Sequence, residues 1–527
     1  MSVDNRTEIN NCDAITGFTG DGPVDVDSTA GFFYEGTAAI TTQHTNTDEH
    51  IYTTEDSLNG GTFSLDWSDV TVYMILKDNL VQTEANGGIQ MVLGDGTDRV
   101  GYAVGGNDNT GIQLGVFWNG YKLDVTEIGN VLYTNTYAGF LANLTTTAIT
   151  QVGLGTVHLA KAQGNVDNIK LDYISYIANG SAALTINGGT VGTPETMTDV
   201  AGDDITNGWG LISNPQGGVF NFFGPTEWGD AGTASSYFTA TGEQWFWQGY
   251  GIGVGNFDFG LTANATGTNS FVLENVVIVN VDTRAAFDLS TANQDIMKLD
   301  AVTFTDLGLI SFPTLDATNK WANACSFNNC AQVDPSTITM ENPTFNGTTD
   351  ANGALLVAAS TDNITGATFN SDGTGHAIYI TATGTYNFTD FTYNGYGATT
   401  TTDAVIYNNS GGAVTINVSG GDTPTYRNGT GASTTVTASY TLTLTSIASG
   451  VAVTIVDSTT RTELQHSVST GADITYVHGG AGVTIDILLN SLAYDPNLSD
   501  IYDLPLTNAN TSIKFQMLDD VNYVNPP

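Results

Sequence analysis

Basic residues and cysteines are scarce in this sequence. Lys and Arg total 12 against 54 Asp and Glu, which gives the 527 residues a formal net charge of −42. That balance repels phosphate backbones and anionic lipid surfaces, and it therefore argues against nucleic acids and membranes as partners. The chain has three cysteines, too few for disulfides to be its stabilising device.

Long hydrophobic runs are also missing. The longest apolar stretches are short, as in "FVLENVVIVNV", and none reaches the length of a membrane-spanning helix. The N-terminus, "MSVDNRTEINNCDAITG", lacks the basic and then apolar pattern of a secretory signal. We therefore expect the protein to be made in the cytoplasm, and any exterior role to arise through assembly.

The residues that are plentiful favour β-strands and turns. Gly, Thr, Asn, Ala, Val and Asp predominate, with 12 prolines and few long helix-forming residues. This composition is typical of β-sheet proteins with many turns. A single core rarely serves so long a chain, so the length predicts two or three domains.

The first third alternates apolar and polar residues, as half-buried strands do. The run "FSLDWSDVTVYMIL" starts at Phe63, and a Gly-Asp-Gly turn at 94–96 separates two further alternating runs. Asn119-Gly120 predicts a hairpin tip, because Asn-Gly tolerates the positive φ angles of a type I′ turn. A closing strand is predicted within "NVDNIKLDYISYI". Antiparallel strands with one apolar face must pack on a second sheet, which predicts a sandwich or jelly roll over residues 1–180.

The middle of the chain repeats a short pattern. Five segments place an aromatic residue after Ser or Thr: "AVTFTD", "ACSFNN", "NPTFNG", "GATFNS" and "DFTYNG". The aromatic residues are Phe304, Phe327, Phe345, Phe369 and Tyr393, at intervals of 23, 18, 24 and 24 residues. A strand-and-turn unit of about 20 residues is typical of solenoids. It predicts a parallel β-helix over residues 181–432, in which the five rings stack inside on coils that each rise about 4.8 Å.

Two of the three cysteines, Cys325 and Cys330, belong to this repeat. Cys325 lies two residues before Phe327, at the position that valine, proline, alanine or phenylalanine occupies in the other four segments. The pattern therefore predicts a small buried hydrophobe at Cys325, with Cys330 beyond the Asn328-Asn329 corner on another face. A zinc site would need two more soft ligands nearby, and the next histidine is His376. We interpret both cysteines as residues that fill the coils.

Residues 433–527 return to long alternation, as in "TVTASYTLTLTSI" and "GVAVTIVDS". A segment of about 95 residues suits a compact β-sandwich. The predicted linker that leads into it is "RNGTGASTTV".

Several of these segments resemble structural proteins of tailed bacteriophages. The resemblance rests on the repeated "TFN" coils, "CSFNNCAQV", "GTGHAIYI", "AVIYNNSGGAVTINVSGG", and the terminal "LTLTSIASGVAVTIVDSTTRTEL" and "VNYVNPP". The nearest likeness is to tail-fibre, head-fibre or pectate-lyase-like virion proteins of marine and cyanobacterial phages. It covers most of the chain, with its diagnostic segments between residues 300 and 527. The front segment, with its late "NVDNIKLDYI" strand, looks like a concanavalin-type jelly roll.

This resemblance implies a homotrimeric virion appendage or capsid decoration. The predicted fold class is all-β, with an N-terminal concanavalin-like (lectin-like) jelly roll, a central right-handed parallel β-helix and a C-terminal β-sandwich. The implied partners are further copies of the chain, other capsid or tail proteins, and host surface polysaccharide.

The sequence offers one candidate binding cluster, in "GEQWFWQGY". Trp245 and Trp247 are candidates for stacking on sugar rings, with Glu243 beside them. The alternative interpretation is that the cluster fills a contact between domains or subunits.

No catalytic residue is assigned. Hydrolysis of a glycan would need two carboxyls about 5–10 Å apart, one of them kept protonated by its surroundings. Candidates are Asp295, Asp300 and Asp306, which flank one coil, or Glu243 beside Trp245 and Trp247. With 54 acidic residues, however, such groupings arise by chance.

No metal site is assigned either. His44 and His50 enclose Asp48 and Glu49 in "HTNTDEH", but the spacing suits no helix face and predicts a solvated loop. "DGPVDVD" at 21–27 has the oxygen ligands that calcium prefers, yet it lacks the ligand order and the terminal Glu of an EF-hand. The sequence therefore predicts no cofactor, with calcium at this segment as the one alternative.

The patterns and the resemblance together predict a non-enzymatic virion protein. It would be a fibre, spike or capsid decoration displayed on the particle surface and in contact with host glycan. Two alternatives stay open. A polysaccharide depolymerase would carry a carboxyl pair in an open groove flanked by aromatic residues. A bacterial surface adhesin would need an export or sorting signal.

Overall fold

A computed structural model describes most of the chain. The described residues are 2–20, 24–27, 37–44, 49–56, 61–66, 69–78, 89–97, 99–103, 119–124, 147–156, 167–178, 181–207, 209–229, 235–247, 259–261, 268–280, 286–290, 294–313, 319–358, 363–491 and 500–516. Within these ranges the chain forms 48 β-strands and one α-helix, which confirms the prediction of an all-β protein. The chain divides into two compact units, Met1–Pro313 and Thr314–Pro527. That division falls inside the segment predicted as one β-helix, and the predicted boundaries at 180 and 432 stay predictions.

Most of the first fourteen strands belong to two antiparallel sheets. Their bounds are β1 Ser2–Asp4, β2 Thr7–Asn10, β3 Phe18–Gly20, β4 Val24–Asp27, β5 Ala39–His44, β6 Glu49–Thr53, β7 Glu55–Asp56, β8 Gly61–Thr62, β9 Val70–Asp78, β10 Ile89–Gly94, β11 Arg99–Ala103, β12 Asn119–Asp124, β13 Gln151–Thr156 and β14 Asp167–Ala178. One sheet has the order β11-β10-β13-β6-β3, and the other has the order β12-β9-β14-β5-β4 with β2 also on β14. Both sheets bury apolar side chains, such as Val92 in the first and Met74 in the second.

The two turns predicted in this region have different outcomes. The Gly-Asp-Gly turn at 94–96 is confirmed, since β10 and β11 pair antiparallel across it and Thr97 N donates to Asp95 Oδ1 at 2.8 Å. The hairpin tip at Asn119-Gly120 is wrong. Both residues begin β12 and pair with Leu76 and Ile75 of β9. Pairing with a long neighbouring strand outweighs the local preference of Asn-Gly for a turn.

The remainder of the first unit winds in coils whose strands pair in parallel. Its elements are β15 Leu184–Ile186, α1 Met197–Asn207, β16 Ile212–Gln216, β17 Val219–Phe222, β18 Thr226–Trp228, β19 Ser236–Thr241, β20 Gln244–Trp247, β21 Phe259–Leu261, β22 Asn269–Glu274, β23 Val277–Asn280, β24 Phe287–Asp288, β25 Gln294–Asp300, β26 Thr303–Thr305 and β27 Leu309–Ser311. The parallel pairs form three columns, β15-β18-β21-β24-β27, β17-β20-β23-β26 and β19-β22-β25. Successive turns of the chain thus add strands to three faces.

The helix α1 departs from the predicted pattern of strands. Thr196 and Asp199 cap its first turn, because Thr196 N donates to Asp199 Oδ2 at 3.1 Å and Asp199 N donates to Thr196 Oγ1 at 3.3 Å. This reciprocal pair is a capping box, a signal that is present in the sequence. Nowhere in the described ranges does a helix have the length and apolar character needed to cross a membrane.

The second unit begins with coils of the same kind. Its first strands are β28 Lys320–Asn323, β29 Ser326–Asn328, β30 Gln332–Asp334, β31 Thr339–Glu341, β32 Thr344–Asn346, β33 Leu355–Val357, β34 Ile364–Thr365, β35 Thr368–Asn370, β36 Ile378–Ile380, β37 Gly384–Thr389, β38 Thr392–Asn394, β39 Ile406–Asn408, β40 Ala413–Ser419, β41 Tyr426–Asn428 and β42 Ser433–Thr445. The parallel columns are β28-β31-β34-β37-β40-β42, β29-β32-β35-β38 and β30-β33-β36-β39-β41. Equivalent residues of successive coils therefore lie side by side.

A left-handed corner connects the first two of these columns. In four successive coils it is held by Ala324, Asn342, Gly366 and Asp390, and Gly420 forms the equivalent corner after β40, with φ between 49° and 72° for all five residues. Each corner amide donates to a carbonyl of the following coil at 2.8–3.1 Å. Gly, Asn and Asp tolerate positive φ, whereas alanine pays a steric penalty there.

We expect Ala324→Gly to raise the free energy of unfolding of the second unit by about 0.5–1 kcal/mol. The change removes a Cβ that opposes the positive φ, and this gain exceeds the entropy that glycine adds to the unfolded chain. Ala322→Gly is the matched control, because Ala322 is buried in β28 and loses packing there. The temperature of thermal unfolding should rise for Ala324→Gly and fall for Ala322→Gly. Equal losses of stability would contradict the expectation.

The C-terminal strands complete the second unit. They are β43 Ala452–Asp457, β44 Glu463–Val468, β45 Ile474–His478, β46 Thr484–Asn490, β47 Ile501–Pro505 and β48 Thr511–Lys514. Four of them form an antiparallel sheet of order β44-β43-β46-β47, while β45 and β48 both pair with β42. Buried side chains of these strands form one core with Leu442 of β42 and with Phe515, which follows β48; the core also includes Val453, Ile455 and Ile485.

The predicted linker "RNGTGASTTV" is wrong. Its two ends belong to β41 and β42, and β42 pairs in parallel with β40 from Ser433 to Ser439. From Tyr440 onward the same strand pairs with β45. One strand of 13 residues therefore serves both the last coil and the C-terminal core. Gly429 and Gly431 form only a short turn between the two strands, in which Ala432 N donates to the Gly429 carbonyl oxygen at 3.2 Å, and the threonines that follow favour the strand β42.

Candidate functional site

The two tryptophans predicted to stack on sugars lie in the interior of the first unit. Trp245 and Trp247 are 0% and 1% exposed. Trp247 stacks on Phe222 with ring centroids 4.2 Å apart, and Trp245 stacks on Trp228 at 5.5 Å. A ring enclosed on both faces offers no surface to a ligand. The predicted stacking role is therefore wrong for these two residues, which are core side chains of the coils.

Glu243 supports this buried cluster. It is half-buried, and its Oε2 accepts a hydrogen bond from Trp245 Nε1 at 2.8 Å. Burial raises the pKa of the Glu243 carboxyl, and the indole hydrogen bond opposes that rise. No other carboxyl among the described residues contributes to the change in the pKa of Glu243. Glycan hydrolysis, in contrast, needs a pair of carboxyl groups. The geometry thus assigns Glu243 a structural contact with the indole of Trp245.

The three aspartates considered for catalysis lie near the end of the first unit. Asp300 ends β25, and Asp306 follows β26 at a left-handed corner with a φ of 57°. Asp295 also lies in β25, but its side chain is outside the described residues. Aspartate is enriched at such corners because it tolerates a positive φ better than most residues do, and this accounts for Asp306. The assignment of no catalytic residue stays a prediction.

The segments considered for metal binding are described only in part. His44 ends β5 and His50 lies in β6, so "HTNTDEH" connects the two N-terminal sheets. Residues 45–48 and 21–23 lie outside the described residues. Across the ranges that are described, no group of three His, Cys, Asp or Glu side chains is placed to hold a metal ion. Calcium binding at 21–27 stays an untested prediction.

The cysteines of the second unit are buried, as predicted. Cys325 and Cys330 are free thiols with 1% and 4% of their surface exposed. Each Sγ lies near a backbone carbonyl oxygen, that of Asn323 at 3.6 Å and that of Asn328 at 3.5 Å. Asn329, between them, has a φ of 52° and turns the chain onto the next face. Both side chains fill the coil as small hydrophobes.

Aromatic rings stack through the same coils and form what we name the inner aromatic column: Phe327, Phe345, Phe369 and Tyr393. Successive ring centroids lie 5.0, 4.6 and 5.6 Å apart, with interplanar angles of 17°, 6° and 24°. Four of the five predicted rings are therefore stacked coil upon coil. The fifth, Phe304, belongs to the first unit, where it is buried with its centroid 5.4 Å from that of Phe287.

One residue after each of these rings lies an asparagine. Asn328, Asn346, Asn370 and Asn394 form the outer asparagine column, in which the Nδ2 of each of the last three donates to the Oδ1 of the asparagine in the preceding coil, at 2.7, 2.7 and 2.8 Å. Asparagine ladders of this kind satisfy one amide with the next along stacked parallel strands. The repeated "FN" and "YN" pairs of the sequence are the signal for this column.

The third face of the second unit carries an outer tyrosine row, made of Tyr379, Tyr407 and Arg427. The three residues are in register on β36, β39 and β41 and are half-buried. The two rings stack at 5.5 Å, and Arg427 Cζ lies 4.7 Å from the Tyr407 ring centroid. Exposed Asn409 joins the hydroxyls, since its Nδ2 donates to Tyr379 Oη at 3.0 Å and its Oδ1 accepts from Tyr407 Oη at 3.4 Å.

Sequence reasoning missed this row. Its signal is the Ile-Tyr pair that recurs in "AIYITAT" and "AVIYNNS". Because alternate residues of a strand point to opposite faces, a buried Ile directs the following Tyr outward. The arginine had no such signal, since its place opposite Tyr407 depends on the length of the turns between β39 and β41.

A fully buried histidine, His376, adjoins the outer tyrosine row. Its Nδ1 donates to the Ala404 carbonyl oxygen at 2.6 Å, and its ring centroid lies 5.2 Å from that of Tyr407. Its Nε2 is buried and has no hydrogen-bond partner among the described residues. Burial lowers the pKa of His376, as does the charge of Arg427, while the hydrogen bond to Ala404 and the charge of Asp403 raise it. The ring is therefore neutral at physiological pH.

This histidine makes the second unit less stable in acid. The unfolded chain binds a proton at His376 near the ordinary pKa of about 6.5, whereas the folded chain binds it only at lower pH. The contribution of His376 to stability is complete above about pH 6.5 and is lost as the pH falls below it. Urea unfolding at pH 8 and at pH 5.5 measures this effect. Between the two pH values, the free energy of unfolding should fall less for His376→Gln than for the wild type. An identical pH dependence in the two proteins would contradict the prediction.

Comparisons with known proteins give partial structural likenesses. No protein-family model and no curated protein matches the chain. The CBM22-1 xylan-binding domain of Paenibacillus barcinonensis Xyn10C is 15% identical with a TM-score of 0.20, over 33% of this chain and 92% of that domain. Cip1, a cellulose induced protein, is 12% identical with a TM-score of 0.21, over 33% and 96%.

The K1 cleaved adhesin domain of Lys-gingipain from Porphyromonas gingivalis W83 is 10% identical with a TM-score of 0.19, over 34% of this chain and 98% of its own length. Likenesses of this size carry no conclusion about the function of the chain.

Proposed function

We propose that this chain is a non-enzymatic structural protein displayed on the surface of a tailed-bacteriophage virion, as a fibre, spike or capsid decoration that contacts host glycan. In this proposal residues 181–432 form a right-handed parallel β-helix, between an N-terminal lectin-like jelly roll over 1–180 and a C-terminal β-sandwich over 433–527. The protein is made in the host cytoplasm. It acts as a homotrimer, bound to other capsid or tail proteins.

The observation that supports a structural role most is the double ladder in the second unit. The inner aromatic column stacks at 4.6–5.6 Å, and the outer asparagine column is hydrogen-bonded at 2.7–2.8 Å beside it. Each ladder joins four successive coils, so bending this part of the stack would strain many contacts at once. Such stiffness suits a protein that must keep its shape on a particle.

Charge supports a place on the particle surface. The formal net charge of −42 disfavours contact with nucleic acid and with anionic lipid, and mutual repulsion keeps particles apart in solution. Glycan contact is supported by the outer tyrosine row, which offers phenol hydroxyls and the Asn409 amide on one half-exposed face. Hydroxyl and amide groups of this kind orient polar ligands in binding sites.

Mass spectrometry of purified virions and of host envelopes tests the location. We expect the chain among the virion proteins. Its recovery from envelopes alone would support a bacterial surface adhesin.

Co-sedimentation of the full chain with host polysaccharide tests the contact, with reducing ends measured in the same samples. We expect the chain to sediment with the polysaccharide while the number of reducing ends stays constant. Release of reducing ends would support a depolymerase if an Asp→Asn change at one of the three aspartates considered for catalysis abolished it. Failure to sediment with any polysaccharide would contradict the proposed contact.

A further inference from the structure

The outer tyrosine row contains a cation, Arg427, that has no counter-ion among the residues that the structure describes. The ion pairs among the described residues are Arg6–Asp4 and Arg461–Asp486. Arg427, in contrast, makes neither an ion pair nor a side-chain hydrogen bond with any described residue, although the chain has 54 acidic residues and only 12 basic ones. Because no acceptor from the described part of this acidic chain occupies them, the five N–H donors of the Arg427 guanidinium can serve a ligand.

The guanidinium of Arg427 is nevertheless held in place. Its Cζ lies 4.7 Å from the Tyr407 ring centroid, a cation–π contact, and Tyr407 in turn stacks on Tyr379 at 5.5 Å. Asn409 ties the two hydroxyls together. A guanidinium fixed in advance loses little conformational entropy when it binds, so this arrangement favours a specific ligand.

We propose that Arg427 binds the carboxylate of a uronic acid residue in a glycan, while Tyr379, Tyr407 and Asn409 meet the hydroxyls of that sugar or its neighbour. This inference rests on the proposed function, in which the chain contacts glycan, and it names the class of sugar. A guanidinium and a carboxylate pair through two parallel hydrogen bonds. The phenol and amide groups donate and accept, as the many hydroxyls of a sugar require.

Charge selects this ligand among the anions. One free guanidinium compensates one negative charge, and the remainder of the chain, at a net −42, repels polymers of high charge density such as nucleic acids or heavily sulfated glycans. A glycan in which uronates alternate with neutral sugars presents isolated carboxylates flanked by hydroxyls. An acidic peptide supplies the carboxylate without the dense hydroxyls that the tyrosines and Asn409 match.

Titration calorimetry of the full chain with an aldobiouronic acid, a glucuronic acid linked to one neutral sugar, tests the inference. We expect Arg427→Gln to weaken binding at least tenfold. Arg427→Lys should weaken it several-fold, because an ammonium group lacks the planar fork of the guanidinium. The same disaccharide with its carboxyl reduced to an alcohol should bind the wild type as weakly as the acid binds Arg427→Gln. The comparison of the two disaccharides uses only the wild-type protein, so its result does not depend on whether a variant folds.

Lys514→Gln is the matched control, since it removes one exposed positive charge from β48 and should leave binding unchanged. Equal weakening by Lys514→Gln and Arg427→Gln would overturn the inference, because net charge would then explain both. Equal binding of the acid and the reduced disaccharide would also overturn it. Competition by sodium acetate at the concentration of the disaccharide would overturn the role of the hydroxyls.

The outcomes separate this inference from the proposed function. If neutral polysaccharides sediment equally with the wild type and with Arg427→Gln, and the aldobiouronic acid shows no preference, the glycan contact stands and the role of Arg427 fails. If no glycan binds at all, both fail.

Discussion

Replacing Phe345 by Ala should lower the free energy of unfolding of the coils in the second unit by about 3–5 kcal/mol, the loss typical of a large buried aromatic side chain. Phe345 is 1% exposed and lies between Phe327 at 5.0 Å and Phe369 at 4.6 Å. The substitution leaves a cavity and removes two stacking contacts, each of which contributes about 0.5–1.5 kcal/mol beyond burial. No neighbour can fill the gap, because both lie on strands that are fixed in register.

Hydrogen–deuterium exchange with peptide-level mass spectrometry measures this loss where it occurs. Peptides from residues 319–428 should exchange faster in Phe345→Ala, and those of the C-terminal strands should change less. Phe345→Leu keeps much of the volume and should lose about 1 kcal/mol. Thr344→Ala, next to it on the half-buried outer face, is the control and should change stability by less than about 0.5 kcal/mol. Similar losses for Thr344→Ala and Phe345→Ala would contradict an inward ring.

Asn408→Ala should be the second large effect, a loss of about 2–3 kcal/mol. The Asn408 amide is fully buried at the end of β39. Its Nδ2 donates to Thr434 Oγ1 at 2.9 Å and to the Ser433 carbonyl oxygen at 3.1 Å, and its Oδ1 accepts from Ser410 Oγ at 2.7 Å. The substitution leaves several buried polar groups without their partner, which is the costly case for hydrogen bonds. These contacts join β39 to the start of β42.

Asn417→Ala is the matched control for this prediction. Asn417 is half-buried on β40, and its Nδ2 donates to Asn387 Oδ1 at 2.9 Å. Removing one partly solvated hydrogen bond should lose about 0.5–1 kcal/mol. Chemical denaturation of the two variants, followed by circular dichroism, compares them directly. A loss for Asn408→Ala no larger than that for Asn417→Ala would contradict a buried, fully bonded amide.

The sequence predicts the buried positions that recur in every coil, and it does not predict the features that depend on pairing between strands. Phe327, Phe345 and Phe369 recur with the same flanking residues, because every coil meets the same steric demand from the coil on either side. The burial of Cys325 follows from the same periodicity, since its position in the repeat is otherwise apolar. Where the structure is periodic, the local sequence pattern is therefore enough to predict which side chains are buried.

Three errors share a different cause. The Asn119-Gly120 pair favours a turn, yet both residues pair with β9. The Gly residues after Arg427 favour a linker, yet they form only a short turn, and the residues on either side of it pair with neighbouring coils as β41 and β42. Trp245 and Trp247 were candidates for an exposed face because tryptophan often lines sugar sites, but β20 directs both inward. The position of Arg427 over Tyr407 likewise needs the register of two strands, which composition and spacing do not specify.

Equivalent residues stack from one coil to the next, and a cysteine cross-link tests this stacking most directly. Thr344 and Thr368 are register partners on β32 and β35, and neighbouring strands place such Cα atoms within the 4.4–6.8 Å that a disulfide requires. The three native cysteines are buried and should not compete. After mild oxidation, peptide mapping by mass spectrometry should find a disulfide between residues 344 and 368 in the Thr344→Cys/Thr368→Cys variant, and none in Thr344→Cys/Asn370→Cys, which is offset by two residues. A bond in the offset pair, with none in the register pair, would contradict the stacking on which the inner aromatic column, the outer asparagine column and the outer tyrosine row all depend.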